Sequence, residues 1–325
     1  MDRNLALEFV RVTEEAAIAA ARWVGKGDKN SADQAAVNLM RKRFDTLDIE
    51  GTVVIGEGER DEAPMLYIGE KVGNGKGPKF DIAVDPLECT NSVAYGRPNA
   101  ISVLAAAPAG SLLGAPDTYM DKIAVGPMAK GKIDLDASPA ENIKAVADAL
   151  GKDVDEVTVV VLDRDRHNQL VKDIRATGAR IILIPDGDIS GAIAPSLDTN
   201  TVDLLLGIGA APEGVIAASA IKCLGGEIQA RFAFRNEAEK KRAKEMGIKD
   251  LDMKMHTDDL AKGDNVIFAA TGILPGLLLD GVQFTGQGAI THSLVTRSKS
   301  KTIRFVKAFH QFDHKEHKKM VMNPI

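Results

Sequence analysis

Lys79-Phe80-Asp81-Ile82-Ala83-Val84-Asp85-Pro86-Leu87-Glu88-Cys89-Thr90 runs from an apolar stretch straight into acids. Lys79 to Val84 reads as a buried strand, and Asp85-Pro86 closes it. The same arrangement occurs twice more. Gly56-Glu57-Gly58-Glu59 follows the short strand Thr52 to Ile55, and Pro212-Glu213-Gly214 follows the strand ending at Ile208 and opens a helix. Taken singly, each cluster suits a surface turn, where Gly, Pro and Asp are favoured. Together they repeat one pattern: an apolar strand, then an acid flanked by Gly or Pro.

Working outward, Leu5, Phe9, Val12, Ala16, Ala19 and Trp23 recur at spacings of four and three, which predicts an amphipathic helix stopped by Gly25 and Gly27. Asp28 is placed to cap a second helix with the apolar face Ala32, Ala36, Leu39 and Met40. Ile101 to Ala106 is a further strand. Beyond a break around Gly126 to Gly131 the pattern alternates. Helices over 141–150, 169–177 and 215–224 interleave with strands over 157–162, 180–184 and 202–208. This alternation predicts an α/β fold whose open sheet is covered on both faces, with ligands beyond the carboxyl ends of its strands. The break puts the expected lobe boundary between an N-terminal α+β lobe, 1–128, and a C-terminal α/β lobe, 129–325.

The bulk numbers narrow the class. A chain of 325 residues that is 45% hydrophobic can bury a large core, and with 4% aromatics that core is aliphatic. A net charge of -5 gives no global attraction for nucleic acid. No apolar run reaches the ~18 residues of a membrane span, and the best candidate, 266–279, is broken by Gly272, Pro275 and Gly276. Asp2, Glu8, Glu14 and Glu15 argue against a leader peptide. Neither Cys89 nor Cys223 belongs to a CxxC pair. The expectation is a cytoplasmic enzyme with no membrane and no nucleic-acid partner. Residues 237–245 read as a solvated charged helix, and 297–319 as a locally basic, solvated surface that could also face an acidic partner.

Acids at several strand ends invite cations. Two carboxylates 4 Å apart repel by about 4 kcal/mol at an effective dielectric near 20. If these acids converge, hard divalent ions, Mg²⁺ or Mn²⁺, are their natural partners, and a phosphate ester is the natural substrate.

Asp85-Pro86-Leu87-Glu88-Cys89-Thr90 resembles the D-P-[IL]-[DE]-x-[ST] element of the lithium-sensitive sugar and inositol phosphatases. Further stretches narrow the resemblance to the class II (GlpX-type) fructose-1,6-bisphosphatases: Gly27-Asp28-Lys29, Val54 to Glu59, Asp61 to Tyr67, Ala115 to Met120, Ile184 to Asp188, Ala211 to Val215 and Asp264 to Gly272. The resemblance implies a layered α-β-α-β-α sandwich of two lobes with the site between them. It implies hydrolysis of the 1-phosphate of fructose 1,6-bisphosphate by metal-activated water, in gluconeogenesis and glycerol metabolism. Sedoheptulose 1,7-bisphosphate or an inositol phosphate is the alternative substrate. Asp33, Glu57, Asp85, Glu88, Glu213 and the Leu87 carbonyl become the expected ligands of two or more ions. Thr90, polarised by Asp33, becomes the hydroxyl that orients the water. Lys29, one helical turn before Asp33, either faces the same site or makes an ordinary i,i+4 ion pair. Substrate contacts are expected from Glu88, Cys89 and Thr90, from Tyr119, from Arg164, Asp165 and Arg166, from Asp186, Gly187 and Asp188, and from Ala210. The two guanidinium forks suit the phosphate that is not cleaved, and the two aspartates suit sugar hydroxyls. A homo-oligomer, dimer or tetramer, and lithium inhibition are also implied.

Three positions depart from the usual pattern. Cys89 stands where Gly is common and would be strained at positive φ, Ala210 replaces a second Gly, and Asp165 replaces Pro. Competing readings are weaker. Gly207-Ile208-Gly209 is only a fragment of a dinucleotide fingerprint, since position 212 is Pro. His310, His314 and His317 have helical spacing but no HExxH, so a solvated tail is expected there. A nonenzymatic sugar-phosphate sensor would share the arginines without needing Thr90 and five acids.

Overall fold

The computed structural model describes residues 5–58, 64–198 and 200–312. Glu59, Asp61 to Ala63, His314 and His317 lie outside the described residues. The elements in chain order begin with α1 (Leu5–Ala21), α2 (Lys29–Phe44), β1 (Glu50–Ile55), β2 (Lys71–Val72), β3 (Lys79–Glu88), α3 (Thr90–Tyr95) and β4 (Ile101–Pro108). There follow β5 (Tyr119–Val125), α4 (Pro139–Leu150), β6 (Thr158–Leu162), α5 (Asn168–Ala176), β7 (Arg180–Ile184), α6 (Asp188–Ile193), β8 (Leu204–Ala210), α7 (Ala211–Leu224) and β9 (Glu227–Ala233). Then come α8 (Glu237–Glu245), β10 (Met255–His256), α9 (Thr257–Leu260), β11 (Ile267–Gly272), β12 (Gln283–Thr285), β13 (Gly288–Arg297) and β14 (Thr302–Gln311). The fold is mixed α/β, with two mixed sheets clothed by helices.

The chain divides into two compact units, one built from residues up to Leu112 together with those from Asp264 on, the other from Leu113–Gly263. The first unit holds an eight-stranded sheet ordered β12-β13-β11-β4-β3-β1-β2, with β14 paired to β13. Phe9, Val12 and Ala16 of α1 and Ala32, Ala36 and Met40 of α2 pack with Ile82, Val84, Leu104 and Ala269 in one core. The Asp28 carboxylate caps α2 by accepting the Ser31 N–H at 3.0 Å. A buried hydroxyl chain, Thr13 to Thr271 at 2.8 Å and Thr271 to Ser293 at 2.8 Å, ties α1 to β11 and β13.

The second unit holds a sheet ordered β10-β9-β5-β8-β6-β7. Its β6, β7 and β8 are parallel, as the alternation predicts, while β5 is antiparallel to both β8 and β9. One face packs Ile123, Val159 and Leu206 against Ile143 of α4 and Ile174 of α5. On the other face Gly191 of α6 is so close to Val160, Ile184 and Leu205 that a Cβ would crowd them.

Three expectations need correction. The 128/129 lobe boundary falls inside the second unit, because β11 pairs with β4 and so returns the C-terminal strands to the first sheet. Asp85-Pro86 does not close its strand. β3 continues to Glu88, and its register with β4 shifts between Asp85 and Glu88, a bulge that admits a proline lacking an N–H. The stretch in which His310 was expected to belong to a tail forms β14 up to Gln311, a strand with no buried residue, so the solvated surface holds while His310 sits on a strand.

Candidate active site

In the first unit the acids arrive by three routes. Asp33 sits in the first turns of α2, half-buried, with the exposed Lys29 beginning the helix. Glu57 sits in the turn after β1. A Cβ on Gly56 would lie 2.0 Å from the Leu66 carbonyl oxygen, so only glycine allows that segment to close over the turn, where the Glu57 N–H donates to the same carbonyl at 3.1 Å. Asp33 and Glu57 meet. Their carboxyls hydrogen-bond, and burial foremost raises both above the usual carboxylate range, with the Asp33 charge adding to the shift of Glu57.

Asp85 and Glu88 come from the bulge. Their partners Val103 and Ile101 are two residues apart, so both acids point to one face of β3 although they are three residues apart in sequence. Asp85 Oδ1 accepts the Leu87 N–H at 3.1 Å, and Leu87 and Glu88 are buried. Cys89 follows with φ +70°, in the left-handed region, as its replacement of glycine leads one to expect, and Thr90 opens α3.

Metal fit can be judged from the donors. Asp33 and Glu57 present hard oxygens, half-buried and within hydrogen-bond reach of each other, the donor type a hard divalent cation takes. Among the described residues, no group of three or more His, Cys, Asp or Glu side chains lies close enough to hold an ion. The structure therefore joins Asp33 with Glu57 and places Asp85 with Glu88 on one sheet face, and does not gather the whole expected set. Glu213 lies in the first turn of α7, in the second unit.

In the second unit the expected substrate residues collect at one end of the sheet. β6, β7 and β8 are parallel, so their carboxyl ends lead into Arg164 and Arg166, Asp186 to Asp188, and Ala210. β5 runs antiparallel to β8 and pairs Tyr119 with Ala210, which brings its first residue to the same end. Arg166 donates two hydrogen bonds to the Ile208 carbonyl, at 3.0 and 2.7 Å, and its guanidinium lies 4.7 Å from the Tyr119 ring centre. Arg164 reaches Asp186 at 3.5 Å. Burial raises the Asp186 carboxyl and the Arg164 charge opposes that rise. Gly187 has φ +93°, which a side chain would strain. Asp165 is exposed.

Three residues of this end escaped the sequence reading. Arg235 also lies over the Tyr119 ring, 4.8 Å from its centre. Its signal is an arginine just past a strand, as with Arg164. His167 is buried, with Nδ1 2.7 Å from the Leu162 carbonyl and Nε2 accepting the Ile208 N–H at 2.8 Å. That pairing is made by the neutral ring, and burial lowers its pKa. Lys122, in the middle of β5, is 2% exposed and pairs with Asp188. Its signal is a lone charge within an apolar strand. The Gly207-Ile208-Gly209 run now has a local reason. A Cβ at Gly207 would come within 2.9 Å of His167 Nε2, and one at Gly209 within 1.8 Å of Asp188 Oδ2.

Residues 3–310 match the sequence profile of the family described as bacterial fructose-1,6-bisphosphatase, glpX-encoded. The chain belongs to that family. Among curated relatives, it is 48% identical over 338 residues to the D-fructose 1,6-bisphosphatase class 2/sedoheptulose 1,7-bisphosphatase of Thermosynechococcus vestitus, covering 96% of this chain and 97% of the relative. The protein of the same description from Synechococcus elongatus is 48% identical over 337 residues, covering 96% of this chain and 98% of the relative. The class II fructose-bisphosphatase family consists of phosphoric monoester hydrolases of carbohydrate metabolism, and the chain is an enzyme of that kind. A sugar bisphosphate is the substrate class, and dependence on divalent metal in general goes with the family. Among the described residues, no helix is long and apolar enough to cross a membrane.

Proposed function

We propose that the chain hydrolyses the 1-phosphate of D-fructose 1,6-bisphosphate, giving fructose 6-phosphate and inorganic phosphate, with Mg²⁺ or Mn²⁺ bound by Asp33, Glu57, Asp85, Glu88, Glu213 and the Leu87 carbonyl. The observation that carries the metal assignment is the Asp33–Glu57 pair, two buried-side carboxyls already within hydrogen-bond reach. Divalent ions held by such oxygens polarise phosphoryl oxygens and lower the pKa of bound water.

The chain's own groups supply the rest. The Thr90 hydroxyl, at the start of α3, orients the attacking water in line with the scissile phosphate, and Asp33 receives the proton. Lys29, one turn before Asp33 on α2, adds a positive charge to that end. Glu88, Cys89 and Thr90 line the scissile phosphate. Arg164 and Arg166 grip the other phosphate through planar forks, and the Tyr119 hydroxyl donates to it. Asp186 and Asp188 accept from sugar hydroxyls, while Gly187 and Ala210 let the backbone approach. No covalent phosphoenzyme forms.

Sedoheptulose 1,7-bisphosphate is a second substrate, favoured by the double description of both relatives. Lithium inhibition, a cytoplasmic location, a homo-oligomeric state and a role in gluconeogenesis and glycerol metabolism belong to the same reading. Comparing kcat/KM on the two bisphosphates, on inositol monophosphate and on fructose 1-phosphate tests it. The bisphosphates should exceed the monophosphates by at least about tenfold, the worth of one charge-assisted phosphate contact. Equal rates on all four esters would refute the role of Arg164 and Arg166.

A further inference from the structure

Lys122 is the one charged residue that points from the middle of β5 toward α6 and α7, beside Met120 and Gly214. At 2% exposure its ammonium must find partners inside the protein. It finds two. One is the Asp188 carboxylate, through Oδ2, and the other is the Ala210 carbonyl at 2.8 Å. Its aliphatic stem passes α7, where a Cβ on Gly214 would lie 3.3 Å from Lys122 Cδ. One side chain thus touches the start of α6, the end of β8 and the first turn of α7, next to Glu213.

The surroundings are cut to admit this pair. A Cβ on Gly209 would lie 1.8 Å from Asp188 Oδ2 and 2.8 Å from Lys122 Nζ, so no other residue fits there without displacing the charges. Stability alone is a weak reason for the arrangement. A buried ion pair usually adds little over an apolar pair of similar volume, and a methionine with an asparagine would fill this space. What the pair does supply is a carboxylate fixed in one orientation.

We infer that Lys122 is a positioning residue for the sugar-hydroxyl end of the site: by holding Asp188 Oδ2 and the Ala210 carbonyl, it aims Asp188 Oδ1 at the substrate and sets how tightly the sugar bisphosphate binds. The inference rests on the proposed contact between Asp188 and substrate. Lys122 itself touches neither the sugar nor the phosphates.

A double-mutant cycle tests it, with steady-state kinetics on fructose 1,6-bisphosphate using the full chain and saturating Mg²⁺ or Mn²⁺. Lys122→Met should raise KM by about tenfold or more and lower kcat by much less, and Asp188→Asn should raise KM similarly. Because one residue acts through the other, the double variant should have a KM within about twofold of the worse single variant. Fold changes that multiply, or a KM unchanged in Lys122→Met while Asp188→Asn raises it, overturn the inference alone. A KM unchanged in Asp188→Asn overturns the substrate contact of Asp188, and the inference falls with it. Should Lys122→Met fail to fold, Lys122→Leu, which likewise has no donor, carries the same cycle with the same criteria.

Discussion

Cys89 holds a left-handed backbone, φ +70°, between Glu88 and Thr90. For a residue with a side chain that geometry costs roughly 1–2 kcal/mol. The side chain is nevertheless buried in the core beside Leu87 and Val93, which returns a similar amount. Cys89→Gly should therefore change stability by less than about 1 kcal/mol in urea unfolding, because the two effects offset. A loss above about 2 kcal/mol would mean that the packed thiol dominates. One residue on, Thr90→Ala should lower kcat by about a hundredfold or more while KM moves by less than about threefold, as expected for a group used mainly in the transition state. Near-normal turnover in that variant would refute the role given to Thr90. Arg166→Ala should do the opposite, raising KM for the bisphosphate by about tenfold or more through loss of the fork and of the stack on Tyr119. At this scale the sequence was most informative where chemistry forces residue type. The acids, the two arginines and the positive φ at Cys89 could all be read from it. Lys122 and Arg235 carry only a faint signal in it, because the place of each beside Asp188 or Tyr119 is set by strand pairing.

Strands and helices decide which of those residues meet. The bulge in β3 turns Asp85 and Glu88 to the same face, which a regular strand would not do. Asp85-Pro86 reads as the close of that strand, and the bulge is the place where a proline, lacking an N–H, can stand inside one. In β8 the tolerance is narrower. Gly209→Ala should destabilise by about 3 kcal/mol or more, since its Cβ would fall 1.8 Å from Asp188 Oδ2, whereas Gly286→Ala, with open space around it, should change stability by less than about 1 kcal/mol. Helix α1 carries a pH dependence. Glu14, 5% exposed, is raised to about 7 chiefly by burial, with the hydrogen bond from Thr291 opposing. Its folded pKa lies above the unfolded value of 4.5, so its stability contribution is whole below pH 4.5 and is lost as pH rises through about 7. The loss is on the order of 3 kcal/mol. Glu14→Gln should remove this slope, so that its urea midpoint exceeds that of the parent at about pH 8 more than at about pH 5. An identical slope in the two proteins would contradict the assignment.

Over the whole chain, the second unit is a continuous segment, Leu113–Gly263, set between the two parts that make the first. It has its own six-stranded sheet and its own apolar cluster. A fragment of those residues should unfold cooperatively on its own in urea, whereas residues up to Leu112 alone lack β11 to β14 and should not. The βα alternation made the parallel part of that second sheet legible in advance. The lobe boundary was misread because the return of β11 to β4 is a pairing between residues 267–272 and 101–106, a separation no local pattern records. The central claim is that acids at strand ends and arginines at sheet ends serve one metal-dependent bisphosphatase. Phosphate release from fructose 1,6-bisphosphate, assayed with Mg²⁺, with Mn²⁺ and with a chelator, tests it most directly. The account predicts release with either or both metals and none with the chelator. Release that persists with the chelator, or no release with any divalent metal, would contradict it.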